Sequence, residues 1–174
     1  MPHLTSRYLN KDLGFSHMIL KHTQLENYLK KLKQNHPSIV LVGGCFDILH
    51  FGHVKFFEKA KEGNDILIVL LENDQRVKKL KGENRPIFRE MERAFVLSQI
   101  RFVDLVVLLP DNMKDTDYSS LVEMIRPNVI AITEHDLNQQ KKEVQAKKIG
   151  ANIKIIPHVE TYSTSELAKL LGID

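Results

Sequence analysis

Ile39-Val40-Leu41-Val42-Gly43-Gly44-Cys45-Phe46-Asp47-Ile48-Leu49-His50-Phe51-Gly52-His53 passes from an apolar run, through a double glycine, to a pair of histidines. Residues 39–42 have the continuous apolar character of a strand buried on both faces. After the histidines, Val54, Phe57 and Ala60 recur among Lys55, Glu58, Lys59 and Lys61, which predicts a helix over about 52–62. A glycine turn between strand and helix lets backbone N–H groups approach an anion closely. The helix N-terminus adds a partial positive charge. His50 and His53 stand three apart at that helix start, so both rings can address one anion. The segment reads as a phosphate site.

Outward from this segment the same alternation repeats. Further strand-like runs occur at 66–71, 103–109, 129–133 and 153–156, separated by helical patterns at about 88–100, 117–125, 138–149 and 164–171. The helix at 88–100 is expected to bury Phe88, Met91, Ala94 and Phe95; the last helix carries Leu167, Leu170 and Leu171. Continuous apolar strands joined by helices predict an α/β, doubly wound, Rossmann-like open parallel sheet of five strands, with helices on both faces. In such sheets ligands bind at the carboxyl ends of the strands. His50, Asp74, Glu134 and Asp136 fall at or near those ends. Residues 1–22 are expected to be irregular. Thr23 and Glu26 have capping-box spacing, and Leu25, Tyr28, Leu29 and Leu32 predict an accessory helix ending near Asn35, before Pro37. The expected division is an extension over 1–37 and a main domain over 38–174.

Composition sets bounds on function. The 174 residues are 43% apolar and 27% charged, enough for one proper core. A net charge of +3 gives no case for a nucleic-acid partner, although Lys78, Lys79, Lys81 and Arg85 cluster locally. The single cysteine excludes an internal disulfide and fits a reducing compartment. No apolar run reaches the ~18 residues of a membrane span. Residues 1–16 lack the apolar core of a signal peptide. The expected location is the cytoplasm, with no membrane partner.

The histidine segment matches none of the common phosphate loops. It lacks the Gly-Lys-Ser/Thr of a Walker loop and the G-x-G-x-x-G of a dinucleotide fold. Zinc is an alternative for His50, His53 and Cys45, but no convincing fourth ligand follows, so no protein-held metal is expected. A merely structural pair of histidines is the other alternative.

Gly44-Cys45-Phe46-Asp47 with His50-Phe51-Gly52-His53 resembles the H-x-G-H signature of the cytidylyltransferase-like nucleotidyltransferases. The resemblance extends over about residues 38–172. Leu71-Glu72-Asn73-Asp74 and Lys81-Gly82-Glu83-Asn84-Arg85-Pro86-Ile87 are similar to the adenylyltransferase domain of heptose-phosphate synthases. So are Glu92-Arg93-Ala94-Phe95-Val96-Leu97 and Phe102-Val103-Asp104. Tyr162-Ser163-Thr164-Ser165 resembles the Ser-Thr-rich opening of the final helix. The chain departs from the heptose-type pattern after the fourth strand, where Thr133-Glu134-His135-Asp136 retains only the aspartate of a Lys-Gly-Gly-Asp-like segment. It also lacks the arginine and glycine that precede the final serines in the polyol-phosphate cytidylyltransferases.

The resemblance implies transfer of a nucleoside monophosphate, AMP favoured, from ATP or CTP with Mg²⁺ to a small phosphorylated metabolite, releasing pyrophosphate. By analogy it assigns His50 and His53 to catalysis at the triphosphate; Lys81 and Arg93 join them as expected cations for the acceptor phosphate or the pyrophosphate, Arg93 because a charge within an apolar helix pattern needs a partner or a cleft. Gly44, Cys45, Phe46, Asp47, Gly52, Glu134, Asp136, Ser163 and Thr164 are assigned to the nucleotide, and Asp74, Lys79 and Arg85 to the acceptor. Ser163 has a structural alternative, since Glu166 three residues later completes a capping box. Asp74 is alternatively a turn residue, and each lysine a solvated surface charge. The competing functions are cytidylyl transfer to a polyol phosphate, adenylation of a flavin mononucleotide, a non-catalytic nucleotide sensor and an RNA-binding module. The 1–37 extension is read as a lid over the cleft or a homodimer contact.

Overall fold

The computed structural model describes residues 18–32, 38–63 and 65–172. Its strands are β1 (Met18–Lys21), β2 (Ile39–Gly44), β3 (Ile66–Leu71), β4 (Leu105–Leu108), β5 (Val129–Thr133) and β6 (Asn152–Ile156). The helices between them are α1 (His22–Leu32), α2 (Phe51–Ala60), α3 (Asp74–Lys81), α4 (Glu90–Ser98), α5 (Asp115–Ile125), α6 (Gln139–Ile149) and α7 (Thr164–Leu170). Among the described residues the strands form one six-stranded sheet in the order β1-β4-β3-β2-β5-β6, and every pairing is parallel. The open α/β architecture expected from the alternating pattern is therefore present, with one strand more than the five expected.

The additional strand is β1, where an irregular segment was expected. Met18 to Lys21 run in register with Leu105 to Leu108. Four residues are too few for a periodic signal, and their strand character comes from the backbone partners that β4 offers. Helix α1 follows at once from His22. It starts without the Thr23 capping box; the Lys21 N–H instead donates to Gln24 Oε1 at 3.0 Å. Leu25, Tyr28, Leu29 and Leu32 are buried as their spacing predicts. The expected helix end near Asn35 lies outside the described residues. The segment read as an accessory extension thus shares the sheet and core of the rest over Met18–Leu32.

The apolar strands feed two cores, one on each face. One cluster joins Leu25, Tyr28 and Leu29 of α1 with Leu41, Ile68, Leu105 and Ile130 of the sheet and Leu121 and Ile125 of α5. The other joins Phe57 of α2 and Ala94 and Leu97 of α4 with Val40, Val42, Val69, Leu71 and Val106. Alternate residues of each strand go to opposite clusters, as the two-residue period of a strand requires. Helix α4 buries Ala94 and packs Met91 against the core as expected, but the rest of its inward face differs. Arg93, Ala94, Leu97 and Ser98 are buried, while Phe88 and Phe95 remain 48% and 37% exposed. The cause is the inward turn of Arg93, described below. Leu170 and Leu171 are likewise exposed, and Ala168 is the buried residue of α7.

The chain steps outward from β2 to β3 and β4, then returns across β2 to β5 and β6. The carboxyl ends of β2 and β5 therefore flank the point where winding reverses. That crevice is where open α/β sheets hold ligands.

Candidate active site

A cleft of about 430 Å³ opens at that crevice. Its floor is Gly43 and Gly44 at the end of β2 and Ala131–Thr133 of β5. Pro157, His158 and Val159 after β6 and Ser163–Ser165 at the start of α7 close one side. The histidine segment forms the other wall.

Local geometry explains the glycines. Phe46 has φ +44, a left-handed turn that folds its ring back beneath the segment. A Cβ on Gly44 would lie 2.9 Å from that ring, so only glycine fits without displacing it. At the helix start, His50 is the N-cap of α2 and its Nδ1 accepts the Gly52 N–H at 3.2 Å. An accepting Nδ1 puts the proton of the neutral ring on Nε2. A Cβ on Gly52 would meet His50 Cε1 and Thr161 Cγ2 at 3.0 Å each.

The two imidazoles are in close, tilted contact, centroids 4.0 Å apart and planes at 43°, and the Phe46 ring meets His53 edge-on at 5.4 Å. Burial, and then the neighbouring His50, push the His53 pKa down to about 3. Burial, with His158 adding to it, also lowers that of His50. Both rings are therefore neutral near pH 7. His53 Nδ1 is buried with no hydrogen-bond partner among the described residues. An orphaned buried nitrogen is a cost that a bound polar ligand can relieve.

Asp47 and Arg85 lock the segment after α3 onto the wall. Asp47 Oδ2 accepts Arg85 Nε at 2.6 Å, and its Oδ1 accepts the N–H groups of Ile87 and Phe88 at 2.8 and 3.1 Å. Thr164 Oγ1 donates to the Ile48 carbonyl at 3.1 Å, tying α7 to the same wall. Ser163 Oγ accepts the Glu166 N–H, and the Glu166 carboxylate accepts the Ser163 N–H, so the capping box read from spacing is formed. Asp136 Oδ1 accepts the Asn138 N–H at 2.8 Å and Oδ2 the Lys142 ammonium at 2.7 Å. Both acids of the cleft lining thus have cationic partners. Among the described residues no three His, Cys, Asp or Glu side chains converge as a metal set.

A family model described as cytidylyltransferase-like matches residues 41–170, which contain every wall of this cleft. The chain belongs to the cytidylyltransferase-like family. As a member it is a nucleotidyltransferase. Among similar proteins, the bifunctional protein HldE of Campylobacter jejuni is 40% identical over 142 residues, covering 82% of this chain and 29% of that protein. The bifunctional protein HldE of Aliarcobacter butzleri is 37% identical over 161 residues, 92% of this chain and 32% of that protein. The chain thus spans about three-tenths of the curated relatives it matches. Of solved structures, the lipopolysaccharide core biosynthesis protein from Thermoplasma volcanium superposes with TM-score 0.55 at 24% identity, over 72% of this chain and 98% of that one. Pantoate-beta-alanine ligase from Francisella tularensis does so with TM-score 0.65 at 19% identity, over 83% and 68%. These two establish likeness of fold.

In this cytidylyltransferase-like cleft the structure gathers twelve of the residues singled out from sequence: Gly44, Cys45, Phe46, Asp47, His50, Gly52, His53, Lys81, Arg85, Asp136, Ser163 and Thr164. Four others lie off its lining. Arg93 is 1% exposed and its guanidinium is used inside the protein. Nε donates to the Phe88 carbonyl at 3.0 Å, Nη1 to Cys45 O at 2.5 Å and Nη2 to Asp74 Oδ1 at 2.8 Å. This binds α3, α4 and the histidine wall into one block, and Asp74 serves as the partner of Arg93. Lys79 lines a separate cavity. Glu134 accepts the His158 N–H at 2.9 Å.

The family cleft also contains His158, Lys142 and Thr161, which sequence reasoning passed over. His158 lies just beyond the strand read at 153–156, so the rule of inspecting strand ends could have found it. Lys142 sits within a helix rich in lysine and glutamine, where one cleft-facing position has no distinguishing pattern.

No helix of the described residues is long and apolar enough to cross a membrane.

Proposed function

We propose that this chain transfers AMP from ATP to the phosphate of a small phosphorylated sugar, a heptose phosphate being favoured, with release of pyrophosphate. The observation that carries the reading is the neutral, closely apposed pair His50 and His53 on a glycine turn at the strand-reversal crevice. The motif resemblance to the heptose-phosphate adenylyltransferases and the HldE relatives support adenylyl transfer over cytidylyl transfer.

In this reading the triphosphate lies along Gly43–Phe46 and the N-terminus of α2. His50 offers its Nε2–H to phosphate oxygens. His53 is drawn toward protonation as negative charge arrives beside it, since an anion reverses the effect of burial. Lys81 and the Asp47-held Arg85 flank the path of the acceptor. An oxygen of the acceptor phosphate forms a bond to the α-phosphorus, the α–β bridging P–O bond breaks, and its electron pair leaves with pyrophosphate. A phosphate monoester is nucleophilic enough to need no activated side chain. The protein's task is to align two anions and neutralise the charge on the departing one. With both cleft carboxylates already paired, Mg²⁺ fits as an ion carried on the triphosphate rather than caged by side chains.

The test is pyrophosphate release from ATP, CTP, GTP and UTP, each crossed with phosphorylated sugars, polyols and flavin mononucleotide. ATP with a sugar phosphate is expected to give the largest kcat/KM. Turnover with CTP and a polyol phosphate alone overturns the choice of base and acceptor. Nucleotide binding without pyrophosphate release from any pair overturns transfer itself.

A further inference from the structure

A second concavity, about 170 Å³, lies over the ends of β3 and β4. Asn73, Arg76 and Lys79 of the α3 segment, Asn112 and Met113 after β4, and Tyr118 of α5 line it. Its frame is fixed by hydrogen bonds. Asn73 is 6% exposed; its side-chain amide donates to the Pro110 carbonyl at 2.8 Å and its Oδ1 accepts the Arg76 N–H at 2.9 Å. The Tyr118 hydroxyl donates to the Glu72 carboxylate, 2.7 and 2.8 Å from its two oxygens. Asn112 is held in the left-handed region at φ 59.

Within this frame the cations are under-used. Arg76 Nε is buried with no hydrogen-bond partner among the described residues. Lys79 Nζ reaches Asn112 Oδ1 at 3.5 Å, the outer limit of a hydrogen bond. No Asp or Glu belongs to the lining; the nearest carboxylates, Glu72 behind the Tyr118 hydroxyl and Asp115 on α5, interact with Arg76 from outside it. The Arg76 and Lys79 side chains both line this space, and an oxyanion there can take charge-assisted hydrogen bonds from a guanidinium and an ammonium together.

We propose that this cavity is a second oxyanion site, separate from the histidine cleft, where Arg76 and Lys79 hold a phosphate- or carboxylate-class group. The group comes either from the far end of the acceptor or from a free ion acting as an effector. The two concavities sit one strand apart, because the Glu72 N–H donates to the Gly44 carbonyl and Asn73 follows directly.

The experiment titrates the full chain with inorganic phosphate, with and without saturating ATP and Mg²⁺, and follows backbone amide shifts by NMR. Amides of residues 73–79 and 112–113 are expected to shift even with the nucleotide present. Arg76→Gln is expected to weaken that binding at least tenfold, and Lys79→Gln provides a second variant should the first fail to fold. Shifts confined to residues 43–53, or affinity unchanged in both variants, overturn the proposal. A failure of ATP to bind counts against adenylyl transfer alone, since the phosphate titration still reads this site. The source is separated by turnover. An acceptor-borne anion makes Arg76→Gln raise the acceptor KM while the ATP KM holds. A free effector makes phosphate alter the wild-type rate but not that of the variant.

Discussion

Arg85 and Asp47, thirty-eight residues apart, form an ion pair sealed from solvent, with Nε 2.6 Å from Oδ2 and each side chain 1% exposed. The pair holds the 85–88 segment against the histidine wall, because the other oxygen of Asp47 takes the N–H groups of Ile87 and Phe88. Removing one member of a buried pair strands the other charge, at a cost of roughly 3–5 kcal/mol. Asp47→Ala is therefore expected to lower the denaturation midpoint sharply. A loss below about 1 kcal/mol would show the pair to be solvated in solution.

Arg93 is expected to behave as a structural clamp. Its three nitrogens diverge to two carbonyls and a carboxylate, a geometry that one ammonium cannot reproduce. Arg93→Lys should destabilise the fold by at least about 2 kcal/mol, the scale of a lost hydrogen bond to a charged group plus an orphaned partner. Urea unfolding checks this. Wild-type stability with turnover alone reduced would instead return Arg93 to direct catalysis.

His53 is expected to act mainly on turnover. Its ring carries an unsatisfied nitrogen in the resting protein, so its removal sacrifices little folding energy. His53→Ala should lower kcat by about 10²–10³, the range for loss of one preorganised donor, with a melting temperature close to that of the parent. Steady-state kinetics beside a thermal melt would settle it; unchanged kcat sinks the assignment.

The same residue makes stability depend on pH. With a folded pKa of about 3 against about 6.5 when unfolded, the unfolded chain binds the extra proton between those values. Stability should therefore fall as pH drops from 6.5 toward 3, by up to about 2 kcal/mol at pH 5 from this group. Glu72, whose pKa burial raises, opposes this within its own range, so the readout is a difference. His53→Gln should be less acid-sensitive than the parent, and parallel pH profiles would refute the claim.

Gly52→Ala tests the fit of the helix start. The added methyl would press on His50 Cε1 and Thr161 Cγ2 at 3.0 Å, tilting the imidazole off the Gly52 N–H. A KM for the nucleotide at least about tenfold higher, one hydrogen bond's worth, is expected with little change in melting temperature. An unaltered KM would mean that the ring accommodates the methyl.

What could be read from the sequence followed the strength of each local signal. The strands at 66–71 and 129–133 were plain because burial on both faces makes them uniformly apolar. The histidine wall was plain because its function requires unusual residues close together. Helix α3 went unread: Val77 is its one buried residue, so no apolar stripe exists to detect. Arg93 misled in a more instructive way. A charge inside an apolar pattern needs a partner or a cleft, and here the partners, two carbonyls and the Asp74 carboxylate, satisfy it away from the cleft lining. Turning inward, it left Phe88 and Phe95 toward solvent. The Arg76 cavity was invisible because its parts come from three segments and converge only on folding.

Strand β1 carries a consequence for handling the molecule. Met18 to Lys21 cover the outer flank of β4, whose Leu105-Val106-Val107-Leu108 would otherwise present bare backbone donors and acceptors along a wholly greasy ribbon. A version trimmed to begin at residue 38 would carry that sticky margin, an invitation to edge-to-edge stacking and insoluble expression. Four unobtrusive residues thus move the sheet's margin, among the described residues, from an all-aliphatic strand to one that ends in a lysine.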